Sequence, residues 1–215
     1  VAAGVVAVIA AGNDGDYGVY IENNNKKLLF EMKKILSSFG YNVYYEYKRN
    51  KRIRVRDYQL FYYLIKFGKS HEKYIQQDIK SHSKELLQIL LNYYIKGDGH
   101  IYGRNGKGLS ATTSSICLRD DLQEIALKIG ISAYYKLHQK KGAPFLSPGQ
   151  KKIYRQKEDT WVVYFIRKNT HTVLPSTIKK YEYIESWVDF EGLVYCVEVP
   201  NHVIYVRRNG IPVWC

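Results

Sequence analysis

The chain has 215 residues, of which 33 are Lys or Arg and 20 are Asp or Glu, so its formal net charge at pH 7 is +13. This length suffices for one large domain or two small ones with a buried core. The positive excess predicts a polyanionic partner, either a nucleic acid or an anionic membrane surface. No apolar run approaches the roughly 18 residues of a membrane-spanning helix, which argues against an integral membrane protein.

Cysteine usage and the start of the chain bear on location. The three cysteines, Cys117, Cys196 and Cys215, are too few and too scattered for a disulfide framework. The apolar residues 1–11 lack the basic leader and cleavage site of a signal peptide. We therefore expect an intracellular protein, in the cytoplasm or nucleoid, that is not secreted.

The first part of the chain alternates between helical and strand-like patterns. Residues 1–11 place Ala3, Ala7, Ala10 and Ala11 on one stripe, which predicts a closely packed helix ending near Gly12. A second helix is predicted over residues 26–39, capped by Asn24 and closed by Gly40. Its expected buried face comprises Leu28, Leu29, Met32, Ile35, Leu36 and Phe39. The remaining predicted elements are strands over residues 17–22, 42–47 and 52–56, and a helix over 57–67.

Basic residues concentrate around the strand at residues 52–56. Arg52, Arg54 and Arg56 alternate with apolar residues, so three guanidinium groups are predicted to share one face. The preceding turn adds Lys48 and Arg49. Such a face could simply be solvated, but on a strongly basic, tyrosine-rich chain it favours contact with nucleic acid.

The most informative stretch is a predicted helix over residues 83–97 that ends in Gly97-Asp98-Gly99. Gly97 would let another backbone approach closely, and Gly99 would permit an exit with positive φ. Asp98 is thereby delivered at the bottom of the helix. A plain helix cap with a solvated carboxylate is the alternative interpretation.

The order of elements then repeats. A hairpin over residues 101–113, a helix over 118–129 ended by Gly130, and strands over 132–137 and 161–166 follow. A gapless shift of 90 residues superimposes Leu28 on Leu118 and Gly40 on Gly130, and it aligns the two Tyr-Tyr strands, which indicates a duplication. Residues 140–157 are rich in Lys, Gly and Pro and are expected to form a basic loop, mobile without a partner.

A helix ending in Gly-Asp-Gly, followed by a basic hairpin within a duplicated unit, resembles the LAGLIDADG homing endonucleases, most closely the kind carried inside inteins. The resemblance implies an α+β fold of tandem αββαββα repeats, with antiparallel sheets forming a saddle over DNA. It implies a first half at residues 1–80 and a second at 81–185. The resemblance further implies a monomer with internal pseudo-twofold symmetry, which binds double-stranded DNA and not a membrane.

The resemblance also implies a catalytic centre. One acid from each half would meet at the helix ends and hold Mg²⁺, with Asp98 and the Gly97 backbone supplying the second half. Lys73 occupies the place of a family lysine and would stabilise charge at the scissile phosphate. In the first half Ala11 falls in the acid slot, which leaves Asp14 or Asp16 as the substitute ligand. In the second half, Thr172 is the residue that corresponds to Lys73, and Lys168 is the nearest basic residue.

The tail, residues 186–215, has no counterpart in the repeat and resembles the C-terminal splicing segment of inteins, with strands predicted over 195–199 and 202–207. Cys196 stands where that segment usually has Asp, and His202 matches its histidine. A thiol there could act as a branching nucleophile, or it could be a buried strand cysteine. Because no N-terminal splicing half is present, we expect no splicing from this chain by itself.

The implied function is Mg²⁺-dependent hydrolysis of double-stranded DNA at a long, asymmetric, sequence-specific site. Loss of the first acid would make the nuclease degenerate or inactive, which leaves a non-cleaving nucleic-acid-binding protein, a maturase or regulator, as the alternative. A membrane-surface protein lacks the required basic amphipathic helix. The residues expected to bind DNA are Lys48, Arg49, Arg52, Arg54, Arg56, Arg104, Lys107, Lys140, Lys141 and Lys168.

Overall fold

A computed structural model of the chain describes residues 6–11, 17–46, 52–102, 108–146, 153–166, 187, 189–208 and 211–214. These residues form a mixed α+β fold whose sheets are antiparallel, as expected. None of the described helices is long and apolar enough to cross a membrane.

The first sheet is built from four strands in the order β1-β2-β4-β3, with two helices in the same part of the chain. The elements are β1 (Val6–Ala11), β2 (Tyr17–Glu22), α1 (Lys26–Ser38), β3 (Val43–Tyr45), β4 (Arg52–Arg56) and α2 (Tyr58–Ile65). Helix α1 begins at Lys26, as predicted, but its N-cap is Asn25 and not Asn24, because the Asn25 side chain accepts from the N–H groups of Lys27 and Leu28.

The second sheet has the same arrangement, in the order β5-β6-β10-β7. Two helices precede it, α3 (Gln77–Lys80) and α4 (Lys84–Asp98). Then come β5 (Gly99–Tyr102), β6 (Gly108–Thr113), α5 (Ile116–Lys128), β7 (Ser132–Gln139), β8 (Pro144–Leu146), β9 (Ile153–Arg155) and β10 (Thr160–Ile166). The tail contributes a hairpin of β11 (Tyr205–Arg208) and β12 (Ile211–Trp214).

Both ends of helices α1 and α5 confirm the 90-residue repeat. Asn25 and Ser115 are the N-caps, and Gly40 and Gly130 follow the C-caps with φ of +89° and +83°. These backbone angles suit glycine, which has no Cβ to clash with the following carbonyl. The N–H of Tyr41 donates to the Leu36 carbonyl, and at the equivalent place Ile131 donates to Ala126. Both helices therefore end in the same six-residue motif.

The start of the chain departs from the prediction, because Val6–Ala11 is a strand and not a helix. All six residues pair with β2, from Val6 opposite Glu22 to Ala11 opposite Tyr17. The run is apolar throughout and contains β-branched residues, so its periodicity suits a buried strand as well as a helix. Pairing with β2 decides between the two.

Strand register also corrects the predicted acid slot. Ala7 pairs with Ile21, and Gly99 pairs with Ala111, which lies 90 residues after Ile21. Gly99 therefore corresponds to Ala7, and the residue before it, Asp98, corresponds to Val6. Ala11 pairs with Tyr17 at the other end of β1, so it does not correspond to Asp98 in this register, and the acids that follow it lie outside the described residues.

Each sheet covers its own hydrophobic core. The first contains Val19, Leu29, Val43, Ile53, Val55 and Phe61. Helix α4 contributes Leu87, Leu91 and Ile95 to the second, together with α5 residues such as Leu122 and Ile125. The predicted buried face of α1 is right for Leu28 and Leu29, but Ile35 is 39% exposed and Phe39 is 74% exposed.

Two segments near the end of the chain differ from expectation. The predicted mobile loop at residues 140–157 contains the paired strands β8 and β9, in which Phe145 lies opposite Tyr154. Residues 195–199 form no strand, whereas the predicted strand at 202–207 is present as β11 from Tyr205. Strand β12, which was not predicted, pairs with it and contacts β7.

Candidate active site and nucleic-acid-facing surfaces

Asp98 is the last residue of α4 and is half-buried. Leu87, Leu91 and Ile95 fix the helix against the second core at intervals of four residues, which is one face of an α-helix. Burial raises the pKa of the Asp98 carboxyl, and the positive charge of Lys73 lowers it, with a net rise. The carboxylate thus sits at the base of a rigid helix, in a partly desolvated position.

The two glycines beside Asp98 provide space. Gly97 is buried. Gly99 has φ of −89° and ψ of 171°, so the predicted exit with positive φ is wrong. A Cβ on Gly99 would lie 2.6 Å from both the Cα and the carbonyl oxygen of Ile95, far inside van der Waals contact. Glycine is needed here because β5 leaves the helix in close contact with its last turn.

Tyr94 is a member of this site that sequence reasoning missed. Its hydroxyl oxygen is buried and has no hydrogen-bond partner in the part of the chain that the structure describes. Burial raises the pKa of the Tyr94 hydroxyl, and the charge of Asp98 raises it further. The spacing of four residues from Asp98 places both on one face of α4 and was the available signal.

Lys73, 25 residues before Asp98, is brought to the same site. Its positive charge is the one charge among the described residues that shifts the pKa of Asp98. The Lys73 carbonyl accepts a hydrogen bond of 2.5 Å from the Ser115 hydroxyl. Two residues later, the N–H of Ile75 donates to Oδ2 of Asp121 at 2.7 Å. The segment before α3 is therefore attached to α5 on both sides of Tyr74.

Asp121 also belongs to an ion-pair network between α3 and α5. The ammonium of Lys80 lies 2.7 Å from Oδ1 of Asp121 and 2.9 Å from Oε2 of Glu124. Lys128 contacts the other Glu124 oxygen at 2.7 Å. Burial lowers the pKa of Lys80, but its hydrogen bonds to Asp121 and Glu124 outweigh that effect and raise it. Asp121, Glu124 and Lys128 have helical spacing, but the network was not predicted, because Lys80 lies 41 residues before Asp121 and 44 before Glu124.

The open face of the first sheet carries the alternating arginines, as predicted. Ile53 and Val55 are fully buried on the core side of β4. On the other side the guanidinium of Arg52 lies 4.3 Å, and that of Arg54 5.1 Å, from the ring centre of Tyr20. Arg52 also contacts Glu46 at 2.7 Å. Cation–π contacts hold two of the arginines in defined positions over the sheet.

Tyrosines take the place of arginine on the open face of the second sheet. Tyr164 stacks on Tyr134 with ring centres 5.1 Å apart and meets the edge of Tyr102 at 6.0 Å. Tyr164 pairs with Tyr134 on one neighbouring strand and with Ser110 on the other. Arg54 pairs in the same way with Tyr44 and Tyr20, which lie 90 residues before Tyr134 and Ser110. Arg54 and Tyr164 therefore occupy equivalent positions in the two sheets. The two halves thus present different chemistry at the centre of their sheets.

Of the two loop lysines, Lys140 is exposed. The N–H of Lys141 donates to Asp159 at 2.7 Å, and its ammonium lies 3.4 Å from Glu158. Both contacts lie at the base of the β8–β9 hairpin.

Several predicted site residues lie outside the described residues. They are Asp14, Asp16, Lys48, Arg49, Arg104, Lys107, Lys168 and Thr172. Within the described ranges, no group of three or more His, Cys, Asp or Glu side chains is placed to hold a metal ion. In those ranges Asp98 is therefore the candidate carboxylate.

The two residues singled out in the tail are exposed. Cys196 is a free thiol at the surface, so the interpretation as a buried strand cysteine is wrong. His202 has φ of +54°, and its N–H donates to the Val199 carbonyl at 2.9 Å.

Comparison with known proteins points to one family for part of the chain. Residues 85–169 match the model of the LAGLIDADG-like domain. The chain is also 29% identical, over 225 aligned residues, to the DNA-directed RNA polymerase subunit beta C-terminal section of Stigeoclonium helveticum. The alignment covers 92% of this chain but 20% of that protein, so the chain spans about a fifth of the length of the curated relative.

Solved structures of the homing endonuclease I-DmoI resemble the fold at 13% sequence identity. Mesophilic variants of I-DmoI give a TM-score of 0.47 over 75% of this chain and 80% of theirs. I-DmoI in complex with DNA and Ca gives 0.47 over 75% of each chain. The complex with DNA and Mn gives 0.46 over 75% of this chain and 81% of that one.

Proposed function

We propose that the chain is a sequence-specific endonuclease of the homing type, which hydrolyses double-stranded DNA at a long asymmetric site. The observation that carries the proposal is the pairing of a half-buried Asp98 at the end of α4 with the positive charge of Lys73. The match of residues 85–169 to the LAGLIDADG-like domain and the net charge of +13 support it. We expect an intracellular monomer.

The donor set fits a hard divalent cation such as Mg²⁺. One carboxylate oxygen from Asp98, with the Gly97 backbone carbonyl beside it, is the kind of ligand set that Mg²⁺ completes with water and phosphate oxygens. The bound ion would supply Lewis-acid stabilisation of the charge that develops on the scissile phosphate. Asp98 would hold the ion in place, and we propose Asp14 as the second carboxylate.

Lys73 would act on the same phosphate without a metal. Its side chain extends from a backbone that Ser115 and Asp121 hold, so the lysine is anchored at its base before the substrate binds. Preorganised charge of this kind stabilises a transition state because little reorganisation is needed during the reaction.

We propose that DNA lies against the open faces of the two sheets. Arg52, Arg54 and Arg56 would contact one half-site, where guanidinium groups suit guanine edges and phosphates. The clustered tyrosines Tyr102, Tyr134 and Tyr164 would contact the other half-site through apolar and stacking interactions. Different chemistry in the two halves fits an asymmetric target.

The gene that carries the target is suggested by the polymerase relative. A 215-residue chain that aligns with a fifth of a polymerase subunit would be an element inserted in the gene for that subunit. The proposed substrate is therefore a polymerase β gene without the insertion. The splicing-like tail fits such an element, in which the exposed thiol of Cys196 would be the branching nucleophile and His202 the histidine of the segment. In the longer precursor, Cys196→Ala would then abolish the spliced product, whereas Cys117→Ala, at the other exposed thiol, would not.

A non-cleaving DNA-binding protein, such as a maturase or regulator, is the second candidate. It is favoured by one observation, which is that no second carboxylate shifts the pKa of Asp98 among the described residues. DNA contacts on the sheets could persist without catalysis, because phosphate and base contacts are separate from the reacting centre.

Cleavage of an uninterrupted polymerase β gene fragment tests the proposal. With Mg²⁺ the chain should make a double-strand cut, which EDTA and Asp98→Asn should abolish. Asp78→Asn, which makes the same change at an exposed position on α3, should cut normally. Tight, salt-sensitive binding to the fragment without any cut would instead support the non-cleaving candidate.

A further inference from the structure

Helix α5 makes two contacts with the backbone around Lys73. Ser115 is fully buried at the N-cap of α5, where its hydroxyl oxygen accepts from the N–H of Leu118 at 3.1 Å. The same hydroxyl donates to the carbonyl of Lys73 at 2.5 Å. The cap uses the Ser115 hydroxyl oxygen as an acceptor, so the hydroxyl hydrogen is still available to be donated to the Lys73 carbonyl.

The repeat supplies a comparison within the same molecule. Asn25 stands 90 residues before Ser115 and caps α1 in the same way, accepting from Lys27 at 3.1 Å and from Leu28 at 3.3 Å. The N–H groups of both cap residues are also held by the side chain two positions earlier, Asn23 or Thr113. Both halves thus share the cap, whereas the bond to the lysine segment belongs to Ser115.

Asp121 provides the second attachment. It lies on α5, six residues after Ser115, and is 9% exposed. One of its oxygens accepts from the N–H of Ile75, and the other accepts from the ammonium of Lys80. Hydrogen bonds to an ionised acceptor are stronger than neutral ones, so the backbone on the far side of Tyr74 is held firmly.

Helix α5 is itself immobilised by its core residues. Leu122, Ile125 and Ala126 are at most 1% exposed and belong to the same cluster as Leu91 and Ile95 of α4. The helix that carries Asp98 and the helix that holds the Lys73 segment therefore pack in one core. Their common packing fixes the backbone of Lys73 relative to that of Asp98.

We infer that Ser115 and Asp121 are positioning residues, which hold Lys73 at the scissile phosphate beside Asp98. The inference rests on the proposed nuclease function and extends it to two residues that would act through the Lys73 backbone. Misplacing a reacting group by about 1 Å can cost on the order of 100-fold in rate. Loss of either attachment should therefore lower the rate of cleavage more than it weakens DNA binding.

The test compares Ser115→Ala with Ser115→Thr and Asn25→Ala, using the full chain and the polymerase gene fragment. Ser115→Thr keeps the hydroxyl, and Asn25→Ala removes the equivalent cap from α1. Under single-turnover conditions with saturating protein, Ser115→Ala should cut about 10-fold or more slowly than wild type, with the Kd for DNA within about twofold. The two controls should cut at close to the wild-type rate.

A double-mutant cycle with Lys73→Ala separates positioning from general damage to the fold. If Ser115 acts through Lys73, then Ser115→Ala should slow the Lys73→Ala variant no further. Equal slowing in both backgrounds would overturn the inference, as would a wild-type rate for Ser115→Ala in a folded protein. A thermal unfolding curve identifies variants that fail to fold.

Amide hydrogen exchange gives a readout that needs no DNA. The N–H of Ile75 should be protected in the wild type and should exchange faster in Asp121→Ala, whereas the N–H of Leu60, capped by Asp57, should not change. An unprotected Ile75 in the wild type would contradict the attachment. A wild-type protein that protects Ile75 but makes no cut in the DNA would instead contradict the nuclease function on which the inference rests, and leave the attachment itself intact.

Discussion

Lys73, which precedes α3, acts electrostatically on the carboxyl of Asp98, the last residue of α4. Burial raises the pKa of the carboxyl, and the lysine charge opposes that rise without cancelling it. A partly buried carboxyl whose pKa is raised by burial, and on which a lysine charge acts, favours a functional site over a helix cap. The cap interpretation of Gly97-Asp98-Gly99 is therefore the weaker one.

Asp98→Asn should abolish cleavage and also stabilise the protein. Because the folded-state pKa of Asp98 is above its unfolded value of about 3.9, the unfolded state releases the proton at lower pH, and stability falls as pH rises through this interval. At pH 7 the ionised carboxylate remains a cost, which asparagine removes. Thermal unfolding at pH 7 should give a higher Tm for Asp98→Asn than for the wild type, whereas Asp78→Asn should not raise the Tm. A lower Tm for Asp98→Asn would contradict the burial argument.

Tyr94→Phe should be neutral or stabilising. The hydroxyl is buried and unpartnered among the described residues, so its removal relieves a desolvation cost of about 1–3 kcal/mol. Tyr93→Phe is the matched control, because the Tyr93 hydroxyl donates to Glu31 at 2.8 Å and its loss should cost about 1 kcal/mol. Free energies of unfolding from urea titrations compare the two. Destabilisation by Tyr94→Phe equal to that of Tyr93→Phe would reveal a bonded partner for the Tyr94 hydroxyl.

Gly99→Ala should destabilise the junction between α4 and β5. The new Cβ would lie 2.6 Å from two backbone atoms of Ile95, which must move apart, at a cost of about 1–3 kcal/mol or more. Gly40→Ala is a useful comparison, since its Cβ would meet nothing within 4 Å and its cost arises from φ of +89°, about 1–2 kcal/mol. If Gly99 matters for the site, its alanine variant should also lose cleavage while Gly40→Ala retains it.

Local sequence patterns were sufficient to predict much of the fold. The glycine stops at Gly40 and Gly130 and the alternation of Arg52 to Arg56 depend on residues close together in the chain, and all were predictable. Residues 6–11 were mispredicted because an all-apolar run fits either a helix or a strand, and the deciding hydrogen bonds come from β2. Phe39 was misassigned because it is the C-cap after Ser38, the last helical residue, so the helical periodicity no longer determines which way it faces.

The candidate site likewise has features that the local sequence predicts and features that depend on residues far apart in the chain. The glycines and the acid of Gly97-Asp98-Gly99 are visible as a motif, and the resemblance suggested Lys73 as their partner. The bond from Ser115 to the Lys73 carbonyl joins residues 42 positions apart and carries no signature in either segment. Register between strands, not spacing in the sequence, was needed to show that Val6 corresponds to Asp98.

The ion-pair network on α5 should make stability sensitive to acid. Burial raises the pKa of Glu124, but hydrogen bonds from Lys128 and Lys80 outweigh it and lower the pKa below 4.5. A lowered pKa contributes stability above the unfolded value, and that stability is lost as pH falls below about 4.5. Glu124→Gln should therefore flatten the decline of Tm below pH 5. Glu191→Gln, at an exposed position in the tail, should leave the decline unchanged, and an identical effect of both would argue against the network.

The two sheet faces should respond differently to salt if both contact DNA. Arg54→Ala removes a positive charge, so the slope of log K against log salt concentration should become shallower by about one. Tyr164→Ala, at the equivalent place in the second sheet, should weaken binding through lost stacking and leave the slope unchanged. Lys34→Ala provides the charge control, because Lys34 lies exposed on α1, away from the open face. Binding titrations at several salt concentrations measure all three, and equal slopes for wild type and Arg54→Ala would exclude Arg54 from the interface.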